Sequence, residues 1–174
     1  MALGRLTHKA LELGIDSVEE LAKQKSQLPI AAVKEAFSLA QKFHLADAYA
    51  EQRQGNLTWE KAVSLRVGTL TLNGIVDLVG DNFVLDFKTD QSMHPDHHRF
   101  QLWAYSRAAG KPIAHLAYLR HDRLYSLTSA ELSALDQEAT ALVKQLTSGD
   151  FSACHNSLSC NICPYAEFCD SRVI

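Results

Sequence analysis

Nowhere does this 174-residue chain hold the roughly 20 consecutive apolar residues that cross a bilayer, so no membrane-spanning helix is expected. Its start, Met1-Ala2-Leu3-Gly4-Arg5, lacks a basic region followed by a long apolar one, and no secretory signal is read there. Cysteine is missing until late: all four cysteines fall between Cys154 and Cys169. A disulfide framework spreads its staples, so this grouping instead suggests a shared ligand set in a reducing, cytoplasmic setting. There is no excess of positive charge, because 17 Lys plus Arg face 20 Asp plus Glu, for a formal net charge of -3. Attraction of nucleic acid by bulk charge is thereby excluded, although a locally positive groove is not. No glycine-rich phosphate loop points to a bound nucleotide. No repeat, low-complexity tract or linker-like stretch divides the sequence. One domain over residues 1–174 is expected, with 150–174 as a cysteine-rich tail.

The patterning that is present changes period partway along. Leu3, Leu6, Ala10 and Leu11 repeat at helical spacing, and Ser17 with Glu20 has the form of a capping box. Pro29 opens a second helical stretch with Ile30, Val33, Phe37 and Ala40 on its apolar face and Leu39 at the edge. Ala46 to Arg53 suggests a short helix broken at Gly55-Asn56. From Val63 the apolar residues alternate, giving three strands joined by short turns and ending at Val67, Val79 and Lys88. Short joints predict antiparallel pairing. A helix from Pro95 to Ala109, strands over Ile113–Leu119 and Leu124–Leu127, and a long helix capped by Ser129 complete the pattern. The inner side of that last helix is expected to carry Leu132, Leu135, Ala139, Leu142 and Val143.

Charged residues interrupt two of these apolar strands. Asp77 lies within Ile75-Val76-Asp77-Leu78-Val79, and Asp86 and Lys88 flank Phe87. A period of two puts Asp86 and Lys88 on one face and Leu85 and Phe87 on the other. Carboxylates inside a sheet are costly unless paired or metal-bound. Two carboxylates on neighbouring strands with a lysine beside them suit phosphodiester hydrolysis with Mg²⁺ or Mn²⁺, hard cations that favour oxygen ligands. The same residues also read as a buried Asp86–Lys88 ion pair with Asp77 beside a turn.

The ordered set Gly74-Ile75-Val76-Asp77 and Val84-Leu85-Asp86-Phe87-Lys88-Thr89 resembles the core of the PD-(D/E)XK nuclease superfamily. Within it, the set is similar to RecB/AddAB-like nuclease domains of bacterial helicase-nucleases and to CRISPR-associated exonucleases. Gly4-Arg5-Leu6-Thr7-His8 resembles the N-terminal Gly-x-x-x-His helix of those relatives, Glu60 the acidic residue ahead of the first strand, and Gln101 to Tyr105 the Gln-x-x-x-Tyr helix. The resemblance implies an α/β fold with a restriction-endonuclease-like core, a central mixed β-sheet flanked by helices. It implies metal ligation by His8, Asp77, Asp86 and the Phe87 carbonyl, with Lys88 as the catalytic lysine. Glu60 is a supporting group or a surface residue at a strand start.

Gln101 and Tyr105, one helical turn apart, would approach the DNA backbone and brace the catalytic strand, with His97 on the same stripe. The histidines of His94-Pro95-Asp96-His97-His98 suggest a zinc site or, with Arg99, phosphate contacts. Cys160, Cys163 and Cys169 resemble the end of the iron-sulfur nucleases. Those relatives take their first cysteine from far upstream, a place that only Cys154 could fill here. The expected occupant is a [4Fe–4S] cluster, with Zn²⁺ or a degenerate staple as alternatives.

The resemblance thus implies a metal-dependent deoxyribonuclease, probing single-stranded ends exonucleolytically in DNA repair or recombination. It implies a helicase domain or subunit as partner and a bacterial or phage-like, nucleoid-associated setting. The rival is a non-catalytic nucleic-acid-binding or scaffolding domain of a helicase-nuclease complex. The chain reads equally as a free-standing nuclease and as the nuclease part of a longer protein.

Overall fold

A computed structural model describes residues 2–24, 28–149, 160–161 and 163–171. Three helices come first: α1 (Ala2–Glu12), α2 (Val18–Ala22) and α3 (Ile30–Leu45). Strands β1 (Thr58–Val67), β2 (Leu70–Val79) and β3 (Phe83–Lys88) follow, then α4 (Arg99–Ala109), β4 (Ile113–Tyr118), β5 (Arg123–Leu127) and α5 (Ser129–Ser148). Single 3₁₀ turns lie at Asp47–Tyr49, Glu51–Arg53, Pro95–His98 and Ala166–Phe168. Among the described residues no helix is long and apolar enough to cross a membrane.

The five strands lie side by side in chain order. β1, β2 and β3 pair antiparallel, as their tight turns require. β3 and β4 pair parallel, with Asp86 opposite Leu116 and Lys88 opposite Tyr118. A parallel pair needs a crossover, and α4 supplies it. β5 returns antiparallel on β4. The result is a mixed sheet with helices on both faces, as expected.

One face carries α1, α2 and α3 over Leu78, Leu85, Phe87 and Ala117. The other carries α4 and α5 over Val76, Val84, Leu116 and Tyr118. On α3 the buried stripe is Val33, Ala36, Leu39, Ala40 and Phe43. Ile30, expected on that face, is exposed, and Phe37 is only partly buried. Ala36 and Ala40 are buried and carry no bulk beyond Cβ, and α1 packs against this helix. Phe43 meets the Phe87 ring edge-on at 4.9 Å, and Trp59 stacks on Phe87 at 5.9 Å. Aromatic pairs of this geometry add to simple burial. They fix the backbone of Phe87, which matters below.

Two boundaries differ from expectation. α5 is capped by Thr128, not Ser129: the Thr128 side chain accepts from the Glu131 amide, and Glu131 reaches back to the Thr128 amide. Its inner face ends at Ala139, and Leu142 points into solvent. β1 starts at Thr58, before the alternation that begins at Val63, because the strand changes face on the way. Trp59 packs with the α1–α3 layer, whereas Val63, Leu65 and Val67 pack with the α4–α5 layer. Residues of equal parity normally share a face. The slip falls at Glu60, whose φ of +45° is left-handed. β2 slips in step, since Val76 faces the α4–α5 layer and Leu78 the α1–α3 layer. Between them is Asp77. With Trp59 paired to Leu78 and Lys61 to Val76, Glu60 and Asp77 stand opposite each other where both strands reset.

Candidate active site

The acidic and basic groups singled out in the sequence converge on β2 and β3, approached by α1 from one face and α4 from the other. His8 comes from the middle of α1. That helix approaches closely because Gly4 has no side chain: a Cβ there would sit 3.2 Å from Thr89 Oγ1, just past the end of β3. Across from His8, the Asp77 carboxylate accepts a hydrogen bond from the Phe87 amide at 2.7 Å. Its other oxygen lies 3.3 Å from His8 Nδ1, and His8 Nε2 lies 3.0 Å from the Phe87 carbonyl. His8 therefore bridges a carboxylate and a carbonyl. Burial opposes its charged form, yet the hydrogen bond to Asp77, the charges of Asp77 and Asp86, and the Phe87 carbonyl outweigh burial and raise its pKa above the ordinary value.

Asp86 and Lys88 share a face of β3, as their spacing requires, and both meet Gln101 of α4. Lys88 Nζ lies 2.7 Å from Asp86 Oδ2 and donates to Gln101 Oε1 at 3.2 Å. Gln101 Nε2 donates to Asp86 Oδ1 at 3.2 Å and reaches Tyr105 Oη at the same distance. Gln101 thus uses both ends of its amide to fix the pair. Asp86 is 4% exposed. Its pKa is pushed up to about 6 by burial and by the charge of Asp77, against the pull of Lys88. Beyond the Lys88 contact, Asp86 Oδ2 has no aligned hydrogen bond.

Tyr105 packs over β2 at Gly74, where a Cβ would come within 2.8 Å of its ring. Glycine there lets the phenol lie against the strand. Burial, ahead of the relief given by Gln101, raises the Tyr105 pKa. The phenol is therefore a neutral donor in the physiological range.

Two assignments change with the structure. The stripe leading to Gln101 carries His98, not His97. Because Pro95–His98 winds as a 3₁₀ turn ahead of α4, His97 swings out to stack on His94 at 5.3 Å, and His98 hydrogen-bonds Gln101. Burial, then the charge of Lys88, lowers the His98 pKa. Glu60 does not precede the first strand: it stands third in β1, accessible to solvent, with its carboxylate turned toward the site. One carboxylate oxygen of Glu60 lies within 4.8 Å of ligand atoms of His8 and Asp77. Burial and the charges of Asp77 and Glu12 raise its pKa. The acidic residue in the Trp59-Glu60-Lys61 run was visible in the sequence, but the change of face that aims it was not.

Carboxylate oxygens, a carbonyl and one imidazole form a donor set suited to a hard divalent cation. The buried Asp86 oxygen without an aligned donor fits the same purpose. Among the described residues, His8, Glu60 and Asp77 form the one group with ligand atoms in common reach. His94, His97 and His98 do not form one, so the zinc reading of that run finds no support. Cys160 is buried, Cys169 half-buried and Cys163 exposed, and their sulfurs do not gather into a ligand group. As placed, they do not fit a closed [4Fe–4S] or Zn²⁺ site. Cys154 lies outside the described residues.

The sequence profile of the PD-(D/E)XK nuclease superfamily matches residues 1–170. No curated protein sequence matches the chain. Among solved structures, a protein from Eubacterium rectale described provisionally as an exonuclease superposes with a TM-score of 0.55 at 13% identity, covering 99% of this chain and 75% of that one. The protein designated SSO0001 aligns at 19% identity with a TM-score of 0.46, covering 99% and 86%. At these identities the likeness speaks to the fold alone.

Proposed function

Because the chain belongs to the PD-(D/E)XK nuclease superfamily, we propose that it hydrolyses DNA phosphodiester bonds with Mg²⁺ or Mn²⁺, acting exonucleolytically on single-stranded ends. The observation that carries this reading is the Asp86–Lys88–Gln101 cluster beside the His8–Asp77–Phe87 bridge. A structural ion pair would need neither the second carboxylate nor the histidine next to it. Inactivated relatives would be expected to have lost these groups, so the non-catalytic scaffolding alternative draws no support from them.

His8, Asp77, Asp86 and the Phe87 carbonyl would hold the metal, which when bound makes a nucleophile of water at neutral pH and polarises the phosphoryl oxygen. Lys88 offers a full positive charge to the phosphoryl oxygens as negative charge develops on them, a contribution that preorganised donors make in water-poor sites. Gln101 keeps that ammonium and the Asp86 carboxylate in fixed relation. Tyr105 supplies a neutral donor to a backbone phosphate, which positions a strand without reading its sequence. Low sequence preference follows.

The RecB/AddAB-like subtype, a role in repair or recombination and a helicase partner are supported by the motif order in the sequence. An acidic net charge is consistent with DNA affinity supplied by such a partner. The [4Fe–4S] cluster has the cysteine spacing in its favour and the placement of the cysteines against it. Iron and acid-labile sulfide analysis of anaerobically purified protein decides it: about four irons per chain supports the cluster, and stoichiometric zinc or no metal rejects it.

The test of the main reading is cleavage of end-labelled single- and double-stranded DNA with Mg²⁺, with Mn²⁺ and with chelator, beside Asp86→Ala. Metal-dependent cleavage that the variant lacks is expected, and the product ladder gives polarity. Cleavage that persists in chelator or in Asp86→Ala would overturn it.

A further inference from the structure

A second concave site lies on the face of the sheet away from Asp86 and Lys88. Those two residues meet Gln101 of α4, whereas His115 of β4 pairs with Leu85 and shares the α1–α3 face with Phe83. A cavity of about 550 Å³ opens there, between the 3₁₀ turn Glu51–Arg53, the β2–β3 turn and the first residues of β3 and β4. Ligand pockets of this size combine apolar walls with a few placed polar groups. Phe83 and Ile113 supply apolar wall, and Gln52 and His115 supply polar groups.

Both polar groups are more than nine-tenths buried, Gln52 at 6% exposure and His115 at 7%. The Gln52 carboxamide hydrogen-bonds no described residue. His115 uses Nδ1 on Ser126 Oγ at 2.8 Å, and its Nε2 has no described partner. Burial drives the His115 pKa down to about 4, so the ring is neutral at physiological pH and Nε2 presents one donor or one acceptor to the cavity. Buried polar groups left unpaired are costly, and a polar ligand would pair these two.

The charged groups stand at the mouth. Glu51 and Asp81 are exposed, and both Asp81 oxygens already accept from Asn56, one from its amide and one from its side chain, at 3.2 Å each. No Lys or Arg lines the cavity, and Lys111, which donates to the Asp81 carbonyl at 2.8 Å, stays outside it. A hard cation would find no carboxylate in the interior, and a phosphate would find no positive charge. A hydrocarbon would leave Gln52 and His115 unpaired. A neutral, flat ring with a hydrogen-bonding edge meets every condition. Toward such an edge a carboxamide offers donor and acceptor together, as it does toward base edges.

We propose that this cavity binds a nucleobase presented as a free nucleoside, held by Gln52 and His115 and separate from the catalytic cluster. The proposal does not depend on the metal-dependent reading.

Calorimetric titration of the full chain with adenosine, guanosine, cytidine and thymidine, each beside its 5′-monophosphate, tests it. Nuclear magnetic resonance follows the Gln52 side-chain amide and the His115 ring in the same titrations. At least one nucleoside should bind with a Kd below about 1 mM and shift both sets of resonances. Its monophosphate should bind about threefold more weakly or worse, because it brings negative charge to Glu51 and Asp81. Gln52→Leu keeps the bulk and removes the hydrogen bonds, and should weaken nucleoside binding by about tenfold or more. A buried substitution can unfold the chain, so Glu51→Arg at the exposed mouth is the second variant. It should leave nucleoside binding within about twofold of wild type and make the monophosphate the tighter ligand. Nucleoside binding should persist in Asp86→Ala.

No nucleoside binding up to about 1 mM, or binding that leaves the Gln52 and His115 resonances unmoved, overturns the site. A monophosphate that binds wild type as tightly as its nucleoside overturns the ligand class. Undiminished binding in folded Gln52→Leu, or a monophosphate unaffected by Glu51→Arg, overturns the assigned contacts. Binding lost in Asp86→Ala would put the nucleoside in the catalytic cluster and overturns the separation.

Discussion

The two halves of the site are held by different means. Asp86, Lys88 and Gln101 are tied by side chains to one another, with opposite charges 2.7 Å apart and an amide bridging both. His8, Glu60 and Asp77 are tied instead to the backbone of Phe87 and to the course of two strands. Charge in the first half is nearly balanced. In the second, two carboxylates face one histidine. On the proposed reading, the first half presents the Lys88 ammonium to substrate, and His8 and Asp77 of the second hold the metal. The halves meet at Asp77 of β2 and Asp86 of β3, where the charge of one acts on the other.

The sharpest way to break this division is Asp77→Ala. The substitution removes a carboxylate from the second half and leaves the buried Phe87 amide without its acceptor. We expect metal-dependent DNA cleavage to be abolished and stability to fall by about 1–3 kcal/mol, the cost of an unmet buried donor. Cleavage assays and urea unfolding measure the two effects. Activity retained with stability lost would reduce Asp77 to a structural role.

A histidine outside the site supplies the contrast in pH behaviour. Burial drives the pKa of His115 down to about 4, and its Nδ1 lies 2.8 Å from Ser126 Oγ. The folded chain therefore binds fewer protons here than the unfolded chain, whose histidine titrates near 6.5. The His115 contribution is complete above that value and is lost as pH falls toward about 4, amounting to up to about 3 kcal/mol. His8 has the opposite sign: with its pKa raised, its contribution is present below 6.5 and lost as pH rises through the folded value. Urea unfolding from neutral pH down to about pH 4.5 should show a steeper loss for wild type than for His115→Gln. Equal slopes would contradict the assignment.

Gly74→Ala sharpens the comparison from the side of Tyr105. A Cβ at this position must push the phenol away, at a cost of about 1–3 kcal/mol for overpacking. The bond between Gln101 and Tyr105 should be lost while Mn²⁺ affinity stays as in wild type. Weakened metal binding in this variant would mean that the two halves are not separable.

The two halves were unequally legible in the sequence. Asp86 and Lys88 lie two apart in one strand, and Gln101 and Tyr105 four apart in one helix, so simple periodicity already placed each pair on a common face. α4 then brought the faces together as the crossover that a parallel β3–β4 pair demands. His8, Glu60 and Asp77 come from three elements. Their meeting depends on a close helix approach at Gly4 and on a change of face shared by β1 and β2, neither of which leaves a periodic trace. That change of face also hid the first residues of β1, because Trp59 and Val63 look out of phase when read as one alternating strand. His97 was favoured over His98 for a similar local reason, a 3₁₀ turn where α-helical spacing was assumed. The cysteine tail had a strong spacing signal, and the arrangement of Cys160, Cys163 and Cys169 does not bear it out.

Lys88→Ala most directly tests the division of labour. It should be titrated with Mn²⁺ and then assayed at saturating metal for cleavage of end-labelled single-stranded DNA. Losing the ammonium frees Asp86, so Mn²⁺ should bind as tightly as in wild type or more tightly, while cleavage falls by about 10²–10³-fold. Loss of metal binding, or cleavage close to the wild-type rate, would contradict it.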